Sequence, residues 1–125
     1  MLGIDIIKIS RMQSFMERFG EKALERFLSE DEQALVKNPR SAAGYWAAKE
    51  AFSKAIGSGI GKECSFYDIK IYKDNNGAPK LALSHKIIEH FRITKVALSI
   101  THDGEYAIAV VSVETSSPTD KVKEF

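Results

Sequence analysis

The sequence predicts an α+β domain, an antiparallel sheet packed against one long helix and several shorter ones. Three observations predict it. A short β-branched apolar run opens the chain at residues 2–7. Helix-period segments fill the rest of the first half. The second half carries two strand–turn–strand signals, around Asn75-Asn76-Gly77 and His102-Asp103-Gly104. The order of strand, then helices, then hairpins is that of an α+β chain with antiparallel pairing.

Residues 2–7 read as a buried strand interrupted by one acid, Asp5, and an acid there needs a partner, a proton or a metal. Ser10 is placed to cap a helix over 11–27, whose apolar positions Met12, Phe15, Met16 and Phe19 follow helical spacing, with Gly20 as a point of weakness. Ser29 and Glu32 match a capping box and open a short helix to Lys37, which Asn38-Pro39 ends. The long helix is predicted over 41–56, stopped by the glycine-rich stretch 57–61. Ile69 and Ile71 alternate with polar residues in a strand over 66–73, and Pro79 to Leu83 forms the return strand. Residues 84–92 form a short helix with Ile87, Ile88 and Phe91 as its apolar stripe. Val96, Leu98 and Ile100 mark another strand, and Tyr106 to Val113 its hairpin partner, apolar on both faces. One face of that strand must meet helices, and the other invites a second copy of the chain. We therefore expect a single domain over 1–114 and a flexible polar tail over 115–125.

A chain of 125 residues holds one domain with a real core and not two. Its net charge of +1 and lack of a long basic block argue against nucleic acid as the main partner. Cys64 is the single cysteine, so no internal disulfide forms, which fits a reducing cytoplasmic setting. The opening apolar run is too short and too acidic for a signal peptide or membrane span.

The densest chemical information lies in Trp46-Ala-Ala-Lys-Glu-Ala-Phe-Ser-Lys-Ala55. Helical spacing sets Glu50 and Lys54 one turn apart on a face otherwise made of Ala43, Trp46 and Ala47. Charges on such a face form a structural ion pair or bind something. Asp5, Glu50, Lys54, the Gly57–Gly61 loop and His102 together have related chemistry. Two carboxylates without a His or Cys cluster suit a hard cation, Mg²⁺ above all, which keeps several waters and takes further ligands from phosphates. A nearby lysine and a loop whose amides can approach an anion would hold those phosphates, although the loop lacks the Walker pattern. The chemistry indicated is phosphoryl-group transfer.

Gly3-Ile4-Asp5-Ile6-Ile7, the Trp46–Ala55 block, Gly57-Ser58-Gly59 and Ser99-Ile100-Thr101-His102-Asp103 occur in an order and at a spacing that resemble the holo-acyl-carrier-protein synthases, the short class of 4′-phosphopantetheinyl transferases. The resemblance covers roughly residues 2–114. It implies that family's α+β fold. It also implies Mg²⁺-dependent transfer of 4′-phosphopantetheine from coenzyme A to a serine of apo-acyl carrier protein, releasing adenosine 3′,5′-bisphosphate, in fatty acid biosynthesis. By the family's pattern Asp5 and Glu50 would hold the metal, and Lys54 would contact the pyrophosphate. Gly57, Ser58, Gly59 and Pro79 would line the coenzyme A groove with Trp46, and His102 would lie near the nucleotide. The attacking serine belongs to the partner, and either Asp5 or a metal-bound water would take its proton. Tyr45 stands where many relatives carry Arg; it can hydrogen-bond a phosphate or stack on adenine but carries no positive charge. Thr101 and Ser58 replace the usual Ser and Thr and keep a hydroxyl.

The resemblance further implies a homotrimer with active sites between subunits. The first predicted helix carries Arg11, Arg18, Lys22 and Arg26 with Phe15 and Phe19 among them, a surface suited to an acidic carrier protein. Arg11 and Phe15 are the positions the resemblance assigns to that docking. Two other functions fit parts of the pattern: a module that binds coenzyme A or an acidic protein without transfer, for which Tyr45 speaks, and a structural oligomer in which Asp5, Glu50 and Lys54 are buried ion-pair members.

Overall fold

The computed structural model describes residues 1–117 and 122–125. The chain runs β1 (Leu2–Lys8), α1 (Ile9–Phe19), α2 (Lys22–Glu25), α3 (Glu30–Gln33), α4 (Pro39–Ala55), a 3-10 turn (Phe66–Asp68), β2 (Ile69–Lys73), β3 (Pro79–Leu83), α5 (His85–Phe91), β4 (Ile93–Asp103) and β5 (Tyr106–Thr115). β1, β5 and β4 form an antiparallel sheet in that order, and β2 and β3 form a separate hairpin. The α+β architecture is the one the sequence predicts.

The helical first half departs from expectation in its boundaries. The helix expected over 11–27 begins at Ile9, without Ser10 as its cap, and breaks at Gly20, which takes φ +59° and donates its N–H to Met16 O at 2.8 Å. A second short helix, α2, follows. α3 is a single turn ending at Gln33 rather than reaching Lys37. Its capping box is the expected one, pairing Ser29 with Glu32, whose Oε1 accepts from the Ser29 N–H at 2.9 Å. α4 begins two residues earlier than expected. Asn38 and Ser41 cap each other reciprocally, the Ser41 N–H donating to Asn38 Oδ1 at 2.9 Å, and Pro39 sits in the first turn, where its missing N–H costs nothing.

α4 lies across the inner face of the three-stranded sheet. Its buried Ala42, Ala43, Ala47, Ala48, Ala51 and Ala55 let it approach closely. Ala107, Ala109, Val111 and Val113 of β5 are the strand's contribution beneath it, with Ile7 of β1 and Val96, Leu98 and Ile100 of β4 packed around them. At the other side of α4 an aromatic cluster closes the core. Trp46 meets Phe27 at 5.0 Å and Phe66 at 4.8 Å between ring centroids, and Phe15 lies 6.2 Å away. The edge-on pairs among them, Trp46 with Phe27 and with Phe15, add about 0.5–1.5 kcal/mol each beyond burial. Asp68 ties the β2–β3 hairpin to α5. Burial would raise its pKa, but the Ser65 N–H, the Ser84 hydroxyl and the Lys86 ammonium outweigh that and hold it below the usual carboxylate range.

β1 is not the fully buried strand its composition predicts. Period two sends Gly3, Asp5 and Ile7 towards α4 and turns Leu2, Ile4 and Ile6 outwards, where they are 74%, 61% and 56% exposed. Register places Ile4 opposite Val110 and Ile6 opposite Ile108, so the outer face carries one continuous apolar stripe. The expected flexible tail over 115–125 falls partly on residues 118–121, outside the described residues. Its first residues are tied down: Thr115 ends β5, the Ser116 N–H donates to Arg92 O at 2.9 Å, and Arg92 Nη1 donates to Ser117 Oγ at 2.9 Å. Among the described residues no helix is long and apolar enough to cross a membrane.

Candidate functional site

Asp5 reaches α4 because it is the second inward residue of β1, and Glu50 and Lys54 meet it because they are one turn apart on the facing side of the helix. Lys54 Nζ donates to Asp5 Oδ1 at 2.8 Å and to the carbonyl of Ile4 at 3.3 Å. It does not pair with Glu50 in the described residues. The Asp5 hydrogen bond is the main cause that raises the Lys54 pKa, so this ammonium is firmly charged at neutral pH. The Glu50 carboxylate accepts no hydrogen bond and forms no ion pair among the described residues. Burial, and then the neighbouring charge of Asp5, push its pKa up against the opposing effect of Lys54.

A cleft of about 360 Å³ opens between β1, α1 and α4 over Asp5 and Glu50. Asp5, Glu50 and Arg11 are its charged side chains, and Ile7, Met12, Phe15 and Trp46 form its apolar walls. Arg11, Phe15 and Trp46, singled out in the sequence for partner or cofactor contact, thus share one cleft with the two carboxylates.

Among the described residues no three His, Cys, Asp or Glu side chains cluster. The donor set is two carboxylates, one of them unpartnered and reluctant to ionise beside the other. A divalent cation relieves that repulsion, and Mg²⁺ tolerates a protein contribution of one or two carboxylates. The residues present therefore fit Mg²⁺.

Other predicted site residues lie apart. His102 is within β4 rather than at a turn, paired with Ala107; the turn follows at Gly104. Its Nε2 is 3.2 Å from the carbonyl oxygen of Arg40, at the start of α4, and Gly44 makes room for the ring. Gly44 and Arg40 lie about 9 Å and about 15 Å along the helix axis from Glu50, towards its N-terminus. Pro79 opens β3 opposite Lys73, in the separate hairpin. Gly57, Ser58 and Gly59 do not present free amides: their N–H groups donate to Lys54 O, Ser53 O and Ser53 O, each at 3.1 Å. They close the C-terminal end of α4, so within this chain these three amides serve to stop the helix. Tyr45 is 5% exposed and belongs to the core, on the Lys49 side of α4. Burial, and then the charge of Glu32, raise its pKa. Within this chain it is not placed to touch a nucleotide.

The sequence reading missed the partnership of Lys49 with Glu32. Both are buried, and Lys49 Nζ donates to Glu32 Oε1 at 2.9 Å. A lysine amid helix alanines was the available signal, but its partner lies 17 residues away. Ile7 and Met12, as cleft walls, follow from the same periodicities that placed Asp5 and Phe15.

The family model described as ACPS, the 4′-phosphopantetheinyl transferase superfamily, matches residues 1–111. The chain is 62% identical over 117 residues to a holo-[acyl-carrier-protein] synthase from Sulfurimonas denitrificans, covering 94% of this chain and 97% of the relative. It is similar to the crystal structure of the Helicobacter pylori holo-[acyl-carrier-protein] synthase in complex with coenzyme A. The TM-score is 0.89 and the identity 49%, over 91% of this chain and 100% of that one. The Bacillus anthracis holo-(acyl-carrier-protein) synthase structure, in complex with CoA (3′,5′-ADP), matches with a TM-score of 0.77 and 40% identity, over 92% and 96% of the two chains. The chain belongs to the 4′-phosphopantetheinyl transferase superfamily.

Proposed function

We propose, with that membership as the premise, that this protein is a holo-acyl-carrier-protein synthase. It transfers 4′-phosphopantetheine from coenzyme A to a serine of apo-acyl carrier protein. The likeness to the coenzyme A complex, across the whole of that chain at 49% identity, carries the reading. The serine oxygen forms a bond to the phosphorus that bears pantetheine, and the pyrophosphate P–O bond breaks. Adenosine 3′,5′-bisphosphate leaves, and the serine proton goes to a base.

Asp5 and Glu50 would hold Mg²⁺, which neutralises charge on the pyrophosphate when bound. The two carboxylates meeting in one cleft support this assignment. Lys54, about half exposed and tied to Asp5, is the cation we assign to the phosphates. With Lys54 on Asp5 Oδ1, that oxygen is not free to take the serine proton, so Asp5 serves as base only after Lys54 leaves. Arg11 and Phe15 at the cleft edge form the docking point for the acidic carrier protein.

His102, Pro79 and the Gly57-Ser58-Gly59 turn lie away from the carboxylates of their own chain. We assign them, with Trp46, to the coenzyme A groove of a homotrimer, in which neighbouring subunits complete each site. The apolar outer stripe of β1 and β5 supports such an assembly. A cytoplasmic setting, with coenzyme A and carrier protein as partners and neither nucleic acid nor membrane, completes the reading.

The test is intact-mass analysis of apo-acyl carrier protein after incubation with this protein, coenzyme A and Mg²⁺. A gain of about 340 Da with Mg²⁺, abolished by EDTA, is expected. No gain on a carrier that a known synthase modifies would overturn the reading.

A further inference from the structure

We propose that Gly3 is a positioning residue that sets the separation of Asp5 from Glu50. The proposal rests on the metal-pair reading above. Gly3 has no left-handed backbone conformation, so conformational freedom does not explain a glycine in this strand. Close approach does. A Cβ at Gly3 would run into the carbonyl oxygen of Ala51 and stand 2.6 Å from the amide nitrogen of Ala55. Both are main-chain atoms inside a helix, and neither can turn aside as a side chain would. The strand backbone is therefore seated directly on the helix backbone.

Asp5 is the next residue on that face of β1, about 7 Å along the strand. Its side chain has a single methylene, yet it reaches Lys54 at 2.8 Å and shares the cleft with Glu50. So short an arm has no reach in reserve. Adding a methyl at Gly3 pushes β1 outwards by about 1 Å or more, a displacement large enough to cost a preorganised site about 100-fold. A merely structural packing contact has no need of this closeness, since an alanine at a slightly larger separation buries as much surface. The carboxylate separation does need it.

The proposal makes a compensation prediction. Lengthening the acid by one methylene should recover what pushing the strand away removes. Binding of Mn²⁺ in the presence of coenzyme A, followed by the EPR signal of free Mn²⁺, is measured for the parent protein, Gly3→Ala, Asp5→Glu and the double variant. Gly3→Ala is expected to weaken Mn²⁺ binding about 10–100-fold. Asp5→Glu alone overshoots and also weakens it, while the double variant binds more tightly than either single one. A Gly3→Ala protein that binds Mn²⁺ like the parent overturns the proposal, as does a double variant no better than Gly3→Ala. If Gly3→Ala does not fold, Asp5→Glu decides: parent-like affinity means the separation is not tight, and the proposal falls. A parent protein that binds no Mn²⁺ removes the metal reading itself, a result distinct from the others because it precedes any substitution.

Discussion

Lys49 and Glu50 are neighbours in sequence and about 100° apart on one helix, and they belong to two charged centres built on opposite principles. Lys49 is fully buried with all three protons placed: on Phe27 O at 2.8 Å, Glu32 Oε1 at 2.9 Å and Phe66 O at 3.0 Å. Glu32 is equally satisfied, taking the Ser29 N–H on Oε1 and the Ile71 N–H on Oε2, each at 2.9 Å. That centre stitches the α2–α3 segment, the 3-10 turn and β2 onto α4. About 100° round the helix, Glu50 has no hydrogen-bond or ion-pair partner among the described residues, Asp5 is held on one oxygen, and Lys54 is about half exposed. Completed charge is structure; charge left incomplete at a cleft is available for a ligand. The difference lies in the partners, and it shows why a single motif can hold a fold together with one residue and do chemistry with the next.

The comparison breaks most visibly if the buried pair is disturbed. Glu32→Ala strands the Lys49 ammonium in the core and should cost about 3–5 kcal/mol in urea unfolding. The isosteric apolar pair Glu32→Leu with Lys49→Met should return most of that loss. A Glu32→Ala cost of about 1 kcal/mol or less, the range of surface pairs, would erase the distinction drawn between the two centres.

The second centre should respond in activity and not in stability. Asp5→Asn and Glu50→Gln are each expected to lower kcat/KM for carrier modification at least about 100-fold, close to 3 kcal/mol. Thermal midpoints without metal should stay within about 2 °C of the parent. Added Mg²⁺ and coenzyme A should raise the midpoint of the parent and leave that of Glu50→Gln where it was. Loss of activity tracking loss of folded protein would instead make this centre structural too.

Lys54 sharpens the contrast because it serves both states. Lys54→Met should lower kcat/KM about tenfold, some 1.4 kcal/mol, mostly through KM for coenzyme A. The same substitution frees Asp5 Oδ1, so Mn²⁺ alone should bind more tightly than to the parent. Arg11→Met, which removes a charge from the cleft without breaking a bond to Asp5, is the control for a general field effect. Equal gains in the two variants would mean that Lys54 acts by charge and not by contact.

How much of this was legible in the sequence depends on how far apart the interacting residues are. Alternation placed β3 and paired it across the Asn75–Gly77 turn, because both are local patterns. The motif spacing brought Glu50 and Lys54 to one face for the same reason. The break at Gly20 was visible as a weakness, and its φ of +59° shows why. What stayed hidden required tertiary partners. Glu32 looked like a capping residue, and it is one, but its second role depends on a lysine 17 residues away. Gly57 and Gly59 after α4 looked like part of an anion loop, yet their amides bond to carbonyls of the helix's own last turns. Tyr45 occupies a motif-adjacent position, but helix phase turns it into the core beside Lys49. β1 read as buried because its composition is that of a core strand, whereas only alternate residues face α4.

The smallest effect expected is also the most diagnostic of incompleteness. A carboxyl group whose pKa is raised by folding binds a proton more tightly in the native than in the unfolded chain. Between its ordinary range and its raised folded value the native state therefore holds more protons, and stability falls as pH rises through that window, then levels off. Glu50 should give the metal-free protein this signature, and Glu50→Gln should lack it. The variant should match the parent in acid and exceed it by about 1–2 °C at neutral pH. The gain is small because Glu50 is only half-buried and Lys54 offsets part of the repulsion from Asp5. Saturating Mg²⁺ with coenzyme A should reverse the order at neutral pH, since only the parent then acquires a partner for the unpaired carboxylate. A site whose native ligand is its missing counter-charge destabilises the empty protein and stabilises the loaded one. If Glu50→Gln is no more stable than the parent at any pH, Glu50 already has what it needs within the chain.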